Sequence, residues 1–328
     1  MVGLAVVGCE AAPLAVVEHQ TGVVTPPPSA GEVAAFDVTA VGSAGLAGVF
    51  ERLGAVRGAE VAVSVGASLF DGRFGLGERV PKRLVKMPSF PNDVLDPAWC
   101  HGDLSVQVCG ESPEQVSAVL AEVAAVPGVA VRWRMPGFRA DNHVDAAGKP
   151  GATNLFGFKE GAGNPDAPDV WVGEEEPAWA TGGTYQVVRL IRMAMPLWNV
   201  DPVPRQEAVF GRSKESNTAF GRAAEADEPD YAGDPDGLVT SLDAHIRRAN
   251  PRTSESMAHQ VLRRGYSYRR DGDEGMVFIC YQKDLERGFV ATQKRLDGEA
   301  LQKYVLPFGG GYFFTLPGGK IGESLLST

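Results

Sequence analysis

The sequence predicts an α+β chain built from two ferredoxin-like domains, each an antiparallel sheet with peripheral helices, divided into residues 1–150 and 151–328. Two observations carry this expectation. Strand, helix and strand patterns succeed one another twice in the first half, and a similar scheme returns after a polar, glycine-containing stretch at 141–154. At 328 residues, 44% of them hydrophobic, the chain is long enough to bury two cores at the usual ~100–200 residues per domain.

In chain order, "EVAAFDVTA" alternates as a strand does, and "AGLAGVFERLGAVRGA" follows with Leu46, Val49, Phe50 and Leu53 at helical spacing. "EVAVSVGA" reads as the second strand and "DLSVQVCG" as the third. Ser112, Pro113 and Gln115 then supply an N-cap, an N1 proline and a capping-box partner for the helix "PEQVSAVLAEVAAV", after which "GVAVRWRM" returns as a strand. In the second half "GGTYQVVRLIRMAM" and "GMVFICYQ" are strands, "DLERGFVATQKRL" is an amphipathic helix and "GGGYFFTLP" a closing strand. Stretches 199–237 and 247–274, rich in Pro, Gly, Asp and Arg, are expected to be irregular, and loops that long in a compact domain are functional or disordered.

Composition excludes several classes of partner. A net charge of -10 with no block of Lys or Arg argues against nucleic acid or an anionic membrane surface. No apolar run reaches the ~20 residues of a spanning helix. The opening "MVGLAVVGCEAAP" has the small and apolar residues of the end of a signal segment but no charged n-region. Export, with the signal truncated or absent here, is the expectation, and a cytoplasmic location the alternative. The four cysteines, Cys9, Cys100, Cys109 and Cys280, form no Cys-x-x-Cys pair, so neither a zinc site nor a disulfide framework is supported.

The chemistry concentrates in three segments. "NLFGFKEGAGNP", residues 154–165, sets Glu160 among three glycines, including Gly161 directly after it. Such a run is either a surface turn with a solvated acid or a backbone cradle that aims the carboxylate into a site. In "GLVTSLDAHIRRANPRT" the residues Leu238, Leu242, His245, Ile246 and Ala249 share one helical face, which predicts an inward-facing His245 on a helix ended by Asn250-Pro251. That histidine is either a hydrogen-bonded core residue or a ligand for a haem iron. Arg247, Arg248 and Arg252 beside it are either a solvated helix end or partners for haem propionates. Arg263, in "VLRRGYSY", adds a permanent positive charge. A ligand, a proton carrier and a cation together form the minimal set for cleaving a peroxide on haem.

These segments also carry a resemblance. "NLFGFKEGAGNP" resembles the Gly-x-x-Asp-Gly segment of dye-decolorising peroxidases, and "LDAHIRRANPRT", "LRRGYSY", "CYQKDLERGFVATQKRL" and "GGGYFFTLPG" resemble later segments of that family in the same order. "VVEHQTGVVTPPP" and "GDLSVQVCG" are similar to its N-terminal half, and the whole is most similar to the class A, deferrochelatase-like branch. The resemblance implies haem b held by the C-terminal half, with hydrogen peroxide oxidising an organic electron donor through a ferryl species. It implies His245 as proximal iron ligand, Arg263 as distal arginine, Glu160 as distal acid, Phe278 in an apolar distal wall, and Asp284 as hydrogen-bond partner of the His245 ring.

Two departures stand out. The family acid is normally Asp, whereas Glu160 here is one methylene longer, and Ala194 and Asn199 stand where His and Asp are frequent. A closed pocket would exclude bulky donors, so electrons would arrive through Tyr266, Tyr268 or Trp198 unless these aromatics are plain packing. The other functions compatible with the residues are a haem-binding or iron-releasing protein, a tailoring oxidase with one small substrate, and a haem-free interaction module. Assembly into a homo-oligomer is left open.

Overall fold

A computed structural model describes residues 18–144, 150–161, 163–165, 169–225 and 227–327. The opening "MVGLAVVGCEAAP" and Cys9 lie outside the described residues.

The first half runs β1 (Ala30–Val38), α1 (Gly42–Ala55), β2 (Glu60–Gly66), β3 (Leu104–Gly110), α2 (Pro113–Ala124) and β4 (Val129–Phe138). Its strands lie antiparallel in the order β4-β1-β3-β2, the arrangement of a ferredoxin-like unit. Helix α2 starts as the capping residues dictate, with the Ser112 hydroxyl accepting from the Gln115 amide at 3.2 Å. Its valines are poor helix formers by tenths of a kcal/mol each. Burial of Val116, Val119, Leu120 and Val123 against the sheet, worth ~1.5–3 kcal/mol per side chain, outweighs that deficit.

Three short strands follow, β5 (Ala140–Val144), β6 (Pro150–Thr153) and β7 (Lys159–Glu160), which form a small separate sheet. The second half then contributes β8 (Thr184–Met193), α3 (Met195–Val200), α4 (Val203–Phe210), α5 (His245–Ala249), α6 (Ser254–Ala258), β9 (Leu262–Arg263), β10 (Tyr266–Arg270), β11 (Asp273–Gln282), α7 (Ala291–Leu296) and β12 (Val305–Thr315). Its main strands adopt the order β12-β8-β11-β10, so the ferredoxin-like arrangement occurs a second time.

The two sheets join at both edges. β12 pairs with β2 from Phe313 to Thr315, and β10 meets β4 at Ser267 and Phe138. Closure leaves few unpaired edges and creates an inside and an outside. Period-two alternation sorts the side chains between them: Val33, Ala35, Val277, Ile279 and Phe313 share the interior cluster, while Ala34, Phe36, Cys280 and Phe314 face the helix-covered core. A third cluster, built on Phe156, Phe158, Trp198, Phe210 and Tyr304, lies under α3 and α4.

Three local expectations are corrected. The predicted helix "DLERGFVATQKRL" is a π-type turn over Glu286–Val290 followed by α7, because the Asp284 carboxylate accepts from the Glu286 and Arg287 amides and the Val290 amide reaches Leu285 five residues back. The "irregular" stretches contain α4, α6, β9 and β10. The histidine helix is much shorter than its apolar spacing suggested: it begins at His245, and Leu238 and Leu242 are exposed. The segment before it is instead gathered around Asp234, whose carboxylate accepts from the amides of Leu238, Val239 and Thr240.

Candidate active site

Glu160 ends β7, a two-residue strand whose partners place it opposite Ala152. The next residue must turn sharply. Gly161 has φ +104°, and a Cβ there would stand 2.0 Å from the Pro150 carbonyl oxygen, so neither the backbone angle nor the space admits a side chain. Gly163 serves a different purpose, since a Cβ there would lie 2.8 Å from Arg263 Nη2. The glycines therefore do form a cradle: one bends the chain past the acid and the other lets the arginine approach.

Asn164, from the same segment, fixes that arginine. Its Oδ1 accepts from the Arg263 backbone amide at 3.1 Å and from Nε at 3.2 Å, while its Nδ2 donates to the Arg263 carbonyl at 2.8 Å. Glu160 Oε1 accepts from Asn154 Nδ2 at 3.3 Å. Burial pushes the Glu160 carboxyl above its ordinary range, opposed by the charge of Arg139, the Asn154 hydrogen bond and the charge of Arg263. Burial likewise lowers the Arg263 guanidinium, opposed first by Glu160, and an arginine starts so high that it stays charged at any working pH.

Glu160, Arg263 and Phe278 all line one cavity of about 310 Å³, and so does His245. That volume is in the range of small-molecule and cofactor sites. The His245 ring is held from behind by Glu299, whose Oε2 lies 2.7 Å from Nδ1. This leaves Nε2 as the nitrogen available to a ligand, and an oriented imidazole backed by a carboxylate is the usual support of a metal-binding histidine. Phe210, 5.8 Å away between ring centroids, packs against its edge.

Asp284 does not fill the role assigned to it. It lies on a separate surface pocket, where it caps the π-type turn and pairs with Arg83 at 3.3 Å. Of the arginines flanking the histidine, Arg247 is committed to Asp234 at 3.0 Å and to two carbonyls of the preceding loop. Arg252 does line the cavity, at the left-handed φ of +60°, a costly conformation for a side-chain-bearing residue. Trp198, Tyr266 and Tyr268 are all packed: Trp198 lies against Phe156, Phe210 and Tyr304, and the Tyr266 hydroxyl donates to Cys109 Sγ at 3.2 Å.

Sequence reasoning missed Glu299, Asn164, Asn154, Arg139 and Arg212. Asn154 and Asn164 bracket the very segment singled out, so their position was a usable signal. Glu299 is 54 positions from the histidine it supports, and no spacing rule points to it.

The residues fit a haem. Two histidines line the cavity, His245 backed by Glu299 and His259 beside Glu255, and among the described residues no group of three or more His, Cys, Asp or Glu is placed to hold a bare metal ion. The lining is strongly cationic, with Arg139, Arg189, Arg212, Arg252, Arg263 and Arg295 against Glu160 and Glu299. Among the described residues the buried Nε atoms of Arg212 and Arg252 find no hydrogen-bond partner, and Arg212 is depressed by burial and then by Arg263. Unanswered donors in an apolar, Phe-lined cavity call for a group with a broad apolar body and anionic ends.

Comparison with known proteins agrees. Residues 57–139 match the family model described as Dyp-type peroxidase, N-terminal, and residues 151–320 match Dyp-type peroxidase, C-terminal. The chain is 43% identical to a protein named Deferrochelatase from Shigella flexneri serotype 5b, over 94% of this chain and 86% of that one. Among solved structures it resembles DtpA from Streptomyces lividans with a TM-score of 0.85 at 30% identity, covering 94% of this chain and 96% of DtpA. It also resembles a DyP-type peroxidase from Cellulomonas bogoriensis with a TM-score of 0.83 at 32% identity, covering 97% and 100%.

Proposed function

We propose, for a chain that belongs to the Dyp-type peroxidase family and is a haem-dependent peroxidase, that it reduces hydrogen peroxide at the expense of organic donors such as dyes or phenols. The observation that carries this reading is the convergence of the His245–Glu299 pair with Glu160 and Arg263 on one cavity. We divide the labour between an N-terminal ferredoxin-like domain, residues 1–150, and a haem-binding C-terminal domain, 151–328.

In this reading His245 Nε2 holds haem b, Glu299 orients the ring, and Arg212 and Arg252 answer the two carboxylates of the porphyrin. The haem supplies the iron on which peroxide is activated and the electrons that leave to its oxygens. Glu160 acts as base and then acid: its ionised carboxylate takes the proton from one peroxide oxygen and returns it to the other. Such proton transfer contributes ~10²–10⁴-fold in rate. Arg263 meets the negative charge that develops on the departing oxygen, and Asn164 keeps its guanidinium in place so that no reorganisation is needed as the charge appears. Phe278 and Phe289 keep the cavity wall apolar, which strengthens both interactions.

A second reading is favoured by the name of the enteric relatives, deferrochelatase: the same cavity would release iron from haem and leave a free porphyrin. One experiment separates the two. Haem-loaded protein is mixed with hydrogen peroxide and a phenol or dye, and with haem alone under reducing conditions. Peroxide-dependent turnover that is lost in His245→Ala together with most of the haem supports the peroxidase. Porphyrin fluorescence without peroxide turnover overturns it.

A further inference from the structure

Arg139 is a buried cation that the peroxidase reading leaves without a task. It sits just past the end of β4, in the first half of the chain, yet it lines a cavity whose walls come mostly from the second half. It is 8% exposed. Three contacts hold it: Nε donates to Asn142 Oδ1 at 2.9 Å, Nη1 donates to the Gly265 carbonyl at 2.8 Å, and the guanidinium carbon stands 5.9 Å from the centre of the Tyr266 ring. Gly265 also lies beside the carboxylate of the distal acid. A Cβ built on it would lie 3.9 Å from Glu160 Oε2. One glycine thus binds the arginine through its carbonyl and has the carboxylate within van der Waals reach of its Cβ position, which puts the two charged groups at the same corner; the close approach that its missing side chain permits is that of Met276 Cε, at 3.0 Å.

We propose that Arg139 is a positioning residue for Glu160: a fixed cation, delivered by the first domain, that keeps the distal carboxylate ionised and turned into the cavity. The inference rests on the reading of Glu160 as proton carrier.

The groups facing Glu160 are few. Arg139 comes from the end of β4, Arg263 from β9, and Asn154 from the turn before β7. Of the two cations Arg139 opposes the effect of burial more strongly than Arg263 does. Arg139 itself faces Glu160, Tyr266, Arg264 and Cys109. Arg264 is turned the other way, with Nη2 on Glu60 at 2.7 Å, so it does not compete for the distal acid. A division of labour follows. Arg263 lies along the Gly163–Asn164 segment, where a cation can meet the charge that appears during O–O cleavage. Arg139, locked on a carbonyl and an amide oxygen, has no freedom to follow a moving charge, and its effect is on the resting state of the acid. Without Arg139, burial dominates and Glu160 is protonated over a wider range of pH. A protonated Glu160 accepts no proton from peroxide.

The test is Arg139→Gln, with Arg139→Lys as the charge-conserving partner. The first readout is infrared difference spectroscopy of the haem-loaded protein across pH, with Glu160→Gln subtracted so that only the Glu160 carboxyl remains. In Arg139→Gln the protonated band is expected to persist to higher pH, and Arg139→Lys should move it back toward its native position. The second readout is the pH profile of the reaction with peroxide. Loss of one nearby opposite charge should cost about tenfold on the acid limb beyond any loss on the alkaline plateau. Arg263→Gln should instead depress the plateau. If Arg139→Gln does not fold, Asn142→Ala decides: it frees the Nε end while keeping the charge, and a smaller upward movement of the band is expected. An unmoved Glu160 titration in the variant that folds overturns the proposal whatever happens to turnover. A moving titration in a protein that never turns over peroxide overturns the peroxidase mechanism and leaves the Arg139–Glu160 coupling standing.

Discussion

Replacing Glu299 by Ala is the sharpest check on the proximal side. The structure puts its carboxylate 2.7 Å from His245 Nδ1, at a residue only 8% exposed, so water cannot readily take its place. Two magnitudes bear on the loss. A hydrogen bond to a charged group is worth ~1.5–3 kcal/mol. Removing a carboxylate that supports a ligating histidine typically weakens metal binding ~10–100-fold, which at 1.36 kcal/mol per decade is about 1.4–2.7 kcal/mol. The two estimates overlap, so the whole effect is accounted for by the single hydrogen bond and its orientation of the ring. Glu299→Ala should therefore bind haem ~10–100-fold more weakly, and Glu299→Gln, which keeps a hydrogen-bond acceptor, less so. Titration of the apoprotein with haem, followed by the shift in the porphyrin absorption, measures the constant. Asp284→Asn serves as the contrast, because Asp284 contacts Arg83 and the π-type turn rather than the histidine. Unchanged haem affinity in Glu299→Ala, or an equal loss in Asp284→Asn, would refute the reasoning.

Other changes test the distal side. Arg263→Leu should keep its haem and react with peroxide ~10²–10³-fold more slowly, by stopped flow, whereas Asn164→Ala, which only loosens the guanidinium, should lose less. Gly163→Ala places a methyl 2.8 Å from Arg263 Nη2, the far end of a flexible side chain, so it should displace the arginine and slow the peroxide reaction with little change in thermal midpoint. Gly161→Ala meets backbone at 2.0 Å in the left-handed region and should lower the midpoint or prevent folding, which thermal denaturation of the pair will show. Because burial pushes Glu160 upward and its ionised form accepts the peroxide proton, the rate should climb with pH through a limb lying above the ordinary carboxylate range. Glu160→Gln should flatten that limb and cost ~10²–10⁴-fold; a limb retained in this variant belongs to another group.

Much of the fold could be read from the chain because strands and helices here announce themselves locally. Alternation in "EVAAFDVTA" and the Ser112 cap each act within a few residues, and they placed β1 and α2 to within two residues. The failures have two causes. Leu238, Leu242 and His245 have helical spacing, yet Asp234 takes the amides of 238–240 for its own carboxylate, and a side-chain cap of that strength overrides an apolar pattern. Closure of the two sheets into one was likewise invisible, since β2–β12 and β4–β10 pairing joins strands far apart in sequence and neither edge carries a local mark.

The site divides along the same line, and the division explains where its chemistry is tuned. Glu160, Gly161, Gly163 and Asn164 lie within five positions, so a single odd segment exposed the distal acid and its cradle. The residues that set the properties of those groups come from elsewhere: Arg139 from the first half of the chain, Arg263 from a strand after residue 260, Glu299 from the approach to β12. Reactive side chains can be concentrated in one turn because a turn can place an atom. Charge cannot be tuned that way, because neighbours in a solvated turn are screened, whereas cations brought through the core act in a low dielectric where each weighs several times more. A cavity-lining Glu in place of Asp is consistent with this. Its Oε2 lies 3.9 Å from the Cβ position of Gly265, the glycine whose carbonyl accepts from Arg139. The cation proposed to act on the acid is thus supplied by the fold rather than by its own loop, and the identity of residue 160 has to be judged together with residues 139 and 265 rather than against a motif.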